Sequence, residues 1–197
     1  MFLHHIALGL SIVTATLASP LAEPPYIRPQ YTADDIQFTP GPGLPSLESL
    51  NLTALDLANA AFDQIEAETS TTPSNPLTRR AAECLVGDPR TVYRASALGC
   101  ANYLDALGNT PCQLYPEGNK WGSVFCQMTI GGDYPFNLAV IVGTSNINTQ
   151  SYCRHVAHAV RVAEDQCKIG VLRMHVGYEN AYGNGHLGVW TMKLPGT

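Results

Sequence analysis

The run Phe136-Asn137-Leu138-Ala139-Val140-Ile141-Val142, closed by Gly143, decides how this chain folds. It is almost continuously apolar and short, which suits a strand in the middle of a sheet. After the loop 143–149 the periodicity changes. Tyr152, Val156, Ala159, Val160 and Ala163 recur every three or four residues, so Gln150 to Cys167 is expected as a helix burying that stripe. A central strand followed by an amphipathic helix packs the stripe against the sheet.

Upstream of that run, Lys120 to Met128 alternates as a strand, with Trp121 and Phe125 on one side and Val124, Cys126 and Met128 largely on the other. Gly131-Gly132-Asp133 is the turn between the two strands. Earlier still, Cys100, Leu104 and Leu107 share one face of an expected helix from Ser96, its cap, to Leu107, with Gly108-Asn109 as the stop. Downstream, Val171 to Tyr178 and His186 to Leu194 read as two further strands joined by Glu179 to Gly185. The order αββαββ predicts an α+β fold, a four-stranded and mainly antiparallel sheet with two helices packed on one face. In the third strand Leu172, Met174 and Val176 share one face, and Val171, Arg173 and His175 share the other.

The six cysteines are Cys84, Cys100, Cys112, Cys126, Cys153 and Cys167, and all follow the dibasic pair Arg79-Arg80. An even set in a secreted chain reads as three disulfides, and about 15 pairings are open. With no Cys-x-x-Cys, a metal site is not expected.

The front of the chain carries different signals. Residues 1–18 read as a secretory signal, with an apolar run from Ile6 to Val13 and small residues leading to a cut after Ala18. Residues 19–80 read as a pro-segment. Its prolines favour extended, solvated chain, and one amphipathic helix is expected where Leu47, Leu50, Ala54, Leu57, Ala61 and Ile65 share a face, capped by Ser46. Asn51-Leu52-Thr53 is a glycosylation sequon inside it. The formal charge of −5 belongs to this front part, because the basic and acidic residues balance from Ala81 onward. Processing after Arg79-Arg80 would leave residues 81–197 as one cysteine-rich domain, secreted, extracellular and without a membrane anchor.

Chemistry is harder to locate. There is no Gly-x-Ser-x-Gly elbow, no His-Glu-x-x-His, no phosphate-binding loop and no dinucleotide fingerprint, so no cofactor is expected. Arg173, His175, Glu179 and His186 cluster on the last hairpin and are the candidates for general acid–base work on a phosphodiester, as in a small secreted ribonuclease. The neutral balance of residues 81–197 argues against nucleic acid as a partner. His155 and His158, with Arg154 and Arg161 nearby, read as a solvated helix face. The aromatic set Trp121, Trp190, Tyr134, Tyr178 and Tyr182 is the lead for binding, Tyr178 and Tyr182 above all because they flank a Gly/Asn-rich loop.

Several of these pieces resemble small cysteine-rich secreted proteins of fungi, namely the necrosis-inducing effectors and the killer-toxin-like proteins. They are Cys100 followed by Leu104, Trp121 before Phe125-Cys126, Val142-Gly143 leading into the helix with Cys153, and Ala181-Tyr182-Gly183-Asn184-Gly185 before the last strand. The resemblance implies a compact α/β sandwich and a non-catalytic protein acting outside the cell. The expected function is therefore an effector- or toxin-like protein that binds an extracellular protein or glycan target. A lectin-like module is the alternative, and a small hydrolase the third reading.

Overall fold

The structure, a computed structural model, describes residues 27–70, 82–117, 120–131 and 137–193. Ala18, Arg79, Arg80 and Tyr134 lie outside the described residues. In chain order the elements are β1 (Ile36–Pro40), α1 (Ala54–Ser70), β2 (Glu83–Cys84), β3 (Thr91–Tyr93), α2 (Arg94–Ala106), β4 (Pro111–Gln113) and β5 (Tyr115–Glu117). They continue with β6 (Lys120–Ile130), β7 (Leu138–Ser145), β8 (Gln150–Tyr152), α3 (Cys153–Cys167), β9 (Lys168–Ile169), β10 (Arg173–His175), β11 (Gly177–Asn180) and β12 (Gly188–Met192).

The main sheet runs β1-β6-β7-β12-β11-β2, with β5 also paired to β6, and all its pairings are antiparallel. The apolar run expected as a strand lies in β7, central in the sheet, and the strand continues through Gly143 to Ser145, which were expected in the loop. Between Val124 and Cys126 the β6–β7 register shifts at a bulge. Phe125 is there buried inward, lying so close to Gly143 that a Cβ on the glycine would stand 2.3 Å from the ring. Helices α2 and α3 lie side by side on one face of the sheet, and α1 packs against α2 and β1.

The expectation of four strands and two helices is corrected to a larger α+β fold. Among the described residues the main sheet has seven strands, two small sheets accompany it, and there are three α-helices. Two physical causes explain the difference. First, the segment read as one strand, Val171 to Tyr178, changes sheet at the buried Val176. β10 pairs with β3 and β9, while β11 pairs with β12 and β2. Second, the proline-rich front is not solvated chain between residues 36 and 70. β1 pairs with β6 from Ile36↔Ile130 to Pro40↔Cys126, and Pro40 is accommodated because it ends an edge strand. Leu57, Ala58, Ala61, Phe62 and Ile65 of α1 are buried in the same core as α2 and β6.

The helix signals also resolve differently in detail. Thr53, rather than Ser46, caps α1. Its hydroxyl accepts from the Asp56 N–H at 3.1 Å, and the Asp56 carboxylate accepts from the Thr53 N–H at 2.8 Å. Ser46 instead accepts from the N–H of Ser49 in the preceding turn. Ser96 is not a cap either. α2 begins at Arg94, directly after β3, and the buried Ser96 hydroxyl donates to the Asn137 carbonyl at 2.6 Å. The stop behaves as read, with Gly108 at φ +57°.

Three disulfides close the fold: Cys84–Cys167, Cys100–Cys126 and Cys112–Cys153. They tie β2 to the end of α3, α2 to β6, and β4 to the start of α3. Arg94 joins the helices from inside. Its buried guanidinium meets Glu164 of α3, Glu68 of α1 at 2.7 Å and the Val171 carbonyl. Burial raises the Glu164 carboxyl above its usual range, with Arg94 opposing that rise.

Candidate binding site

The four polar residues of the last hairpin stand in three separate places. Arg173, on β10, donates to the Asn137 side chain at 3.0 Å and lies over the Tyr93 ring, 5.2 Å from its centroid. His175 shares that strand and pairs in register with Thr91. Glu179 belongs to the main sheet, is 7% exposed, and accepts from the N–H of Asn180 at 2.8 Å. His186 is exposed in the loop before β12, where its N–H is held by the Asn184 side chain. Two of them are therefore on a different sheet from the third, and the fourth is in a loop.

Two of the aromatics meet on the face of the main sheet opposite Glu179. Tyr178 and Trp190 are directly paired across β11 and β12, with ring centroids 4.8 Å apart. Trp190 donates to the Thr144 hydroxyl at 3.2 Å, and the Tyr178 hydroxyl donates to the side-chain carbonyl of Asn180 at 3.0 Å. Both rings are half-buried. Burial raises the Tyr178 hydroxyl above its ordinary range, and the negative charges of Glu83 and Glu179 add to that. Trp121 is also half-buried, at the start of β6 opposite Ser145.

A different group forms the exposed patch. Tyr182, 62% exposed, packs edge-on against both His155 and His158 of α3, at centroid distances of 5.6 and 5.5 Å. Tyr152 packs edge-on against His155 at 5.4 Å, and the Arg154 guanidinium lies over the Tyr152 ring at 5.7 Å. Tyr152, expected inside the helix stripe, is instead 47% exposed, because the chain there is still strand β8 and the helix begins only at Cys153.

The loop is fastened so that this patch is held in shape. The Tyr182 N–H donates to the His155 carbonyl at 3.4 Å. The Asn184 side chain donates to the Thr149 hydroxyl and to the Gln150 carbonyl, both at 2.8 Å. Ala181 is fully buried and closed by its N–H to the Leu187 carbonyl. Gly183, at φ +74°, supplies the turn that a side chain would strain. Beneath the patch the Cys112–Cys153 bridge anchors the first residue of α3.

Chemically the patch offers two ring faces, two imidazoles able to exchange hydrogen bonds, and one exposed cation. Such a set is chemically suited to stacking and hydrogen bonding. No group of three or more His, Cys, Asp or Glu side chains suited to a metal ion occurs among the described residues. Sequence alone singles out Tyr182 but leaves His155 and His158 as a solvated face. The signal joining them is tertiary, since only the folded chain brings the loop after β11 onto α3.

Residues 79–193 match the family described as Domain of unknown function (DUF8794). No curated protein and no solved structure matches the chain. The matched range starts at Arg79, leaving β1 and α1 outside it, and takes in all six cysteines and the whole Tyr152–Tyr182 patch. It covers more than half of the sequence, and the chain therefore belongs to the DUF8794 family.

Proposed function

We propose that the protein is a secreted, effector- or toxin-like binding protein that engages an extracellular protein or glycan through Tyr152, Arg154, His155, His158 and Tyr182. The observation that carries this reading is the seating of the exposed Tyr182 ring between two histidines by a hydrogen-bonded loop. An ordered, exposed aromatic surface loses little conformational freedom on binding. Three disulfides fit an oxidising compartment, and no helix among the described residues is long and apolar enough to cross a membrane. A family range that begins at Arg79 supports reading that dibasic pair as the boundary of a processed precursor.

The test is binding of labelled protein to a glycan array and to intact cells before and after surface proteolysis. Tyr182→Ala is expected to weaken binding by about tenfold or more, as hot-spot aromatics do, with an unchanged melting temperature. Array signal lost in Tyr182→Ala would favour the lectin-like form of the reading. Cell binding abolished by surface proteolysis would favour a protein target. RNA degradation that disappears in His175→Ala, with Tyr182→Ala unaffected, would replace the binding reading by a hydrolase.

A further inference from the structure

We propose that the Cys126–Ile130 edge of β6 together with the neighbouring face of α2 is a strand-and-helix docking surface, and that its occupant is the chain's own residues 31–68, which remain seated after the backbone is cut at Arg79-Arg80. The proposal rests on the dibasic processing read above. It differs from that reading in one respect: the front segment is a subunit of the working protein and not a discarded piece.

Three kinds of contact hold the segment. Along β6, the pairing of Ile36–Pro40 with Cys126–Ile130 is extended at both ends, by the Gly41 N–H to the Phe125 carbonyl at 2.9 Å and the Gly131 N–H to the Asp35 carbonyl at 2.8 Å. At Gly41 the backbones touch so closely that a Cβ would stand 2.2 Å from the Val124 carbonyl. Over α2, the side chains of Leu57, Ala58, Ala61, Phe62 and Ile65 are all 3% exposed or less. Polar anchors surround them. Tyr103 donates to the Pro45 carbonyl at 2.7 Å, Gln64 donates to Asn102 at 2.9 Å, and Glu68 receives Arg94.

Release would reverse all of these at once. It would uncover a row of apolar side chains, leave Cys126–Ile130 of β6 unpaired on that side and remove one of the two carboxylates on a buried guanidinium. Retention is therefore the favoured state. No disulfide contributes to it, since all three bridges join residues between Cys84 and Cys167. Asn51 is exposed, at φ +54°, so a glycan there would project from the seated segment without entering the interface.

The experiment is digestion of the secreted full-length chain with a kexin-type dibasic protease. A reducing denaturing gel reports the cut, and native size-exclusion chromatography with mass detection reports whether the pieces travel together. A chain left whole sinks the processing reading alone. The docking surface is then tested on a chain carrying a specific protease recognition sequence at residues 74–80. Co-elution of both pieces at the mass of the uncut protein, with separation only in denaturant, is the expected result. An N-terminal piece eluting alone from a folded remainder overturns the proposal. Phe62→Asp is expected to lower the co-eluting fraction at least tenfold after the cut, with Phe62→Ala used if the aspartate blocks secretion. Undiminished co-elution in these variants would overturn the assignment of α1 to the surface.

Discussion

Residues 27–70 and residues 82–193 contribute to one core but are held there by different forces. The second region is closed by three disulfides, each joining elements that also pack on each other. The first has no cysteine, and among the described residues hydrogen bonds, ion pairs and apolar burial fix β1 and α1 in place. The two also differ in charge, because the acidic excess of the chain lies before Ala81. A region held without covalent ties responds to solvent, pH and cutting, whereas a bridged one responds chiefly to reductant. The contrast thus predicts two separable behaviours in one molecule.

The largest effect is expected from omitting the first region. A chain lacking residues 27–70 exposes the α2 face and the β6 edge, so secretion yield should collapse or the product should self-associate, as read by light scattering. A soluble monomer with native-like near-ultraviolet dichroism would break the comparison. Next comes the longest covalent loop. Replacing both Cys84 and Cys167 by alanine is expected to cost about 2–5 kcal/mol in urea unfolding, because that bridge spans 83 residues of sequence. A loss confined to α1 amides in hydrogen exchange would contradict the division. Smaller again is Thr53→Ala, which removes the α1 cap for about 1 kcal/mol. Thr53→Ser keeps both the capping hydroxyl and the sequon, so the difference between the two variants, measured on deglycosylated protein, isolates the cap.

The smallest effect is acid sensitivity. Contacts from the backbone N–H and hydroxyl of Thr32 hold the Asp35 carboxyl below its usual range, and those from the hydroxyl and N–H of Thr53 do the same for Asp56. A depressed carboxyl contributes stability above the ordinary carboxylate range, near pH 4, and loses it as pH falls through the lowered value. Glu164 has the opposite sign, since its raised carboxyl favours the fold at low pH and loses that contribution as pH rises through the raised value. Acidification below about pH 4 should therefore deprotect the Thr32 and Thr53 amides before those of α3, as followed by hydrogen exchange. Simultaneous loss across both regions would show that the caps play no separate part.

The elements longest in sequence are the most legible. The apolar run in β7, the alternation in β6 and the stripe of α3 each specify an element type, because many consecutive residues carry one pattern. The short strands carry no period. β2 and β9 are two residues long, and only their partners make them strands. β1 is hidden for another reason. Pro40 reads as a sheet breaker, yet an edge strand has a side that needs no N–H donor. In the candidate site, Tyr182 is legible from its Gly/Asn-rich loop. Its histidine neighbours are not, since i, i+3 spacing on a helix says which side chains share a face and nothing about what covers that face.

The bulge at Phe125 has an evolutionary consequence. The Phe125 ring lies against Gly143, and the Leu114 side chain would also come within 3 Å of a Cβ at that position. Residue 143 therefore has no room to grow unless Phe125 shrinks and Leu114 shifts. Positions 143 and 125 are therefore expected to change together. Across DUF8794 domains that keep this bulge, a larger side chain at 143 should be accompanied by a smaller one at 125, and a lineage must first truncate the ring before the glycine can be replaced.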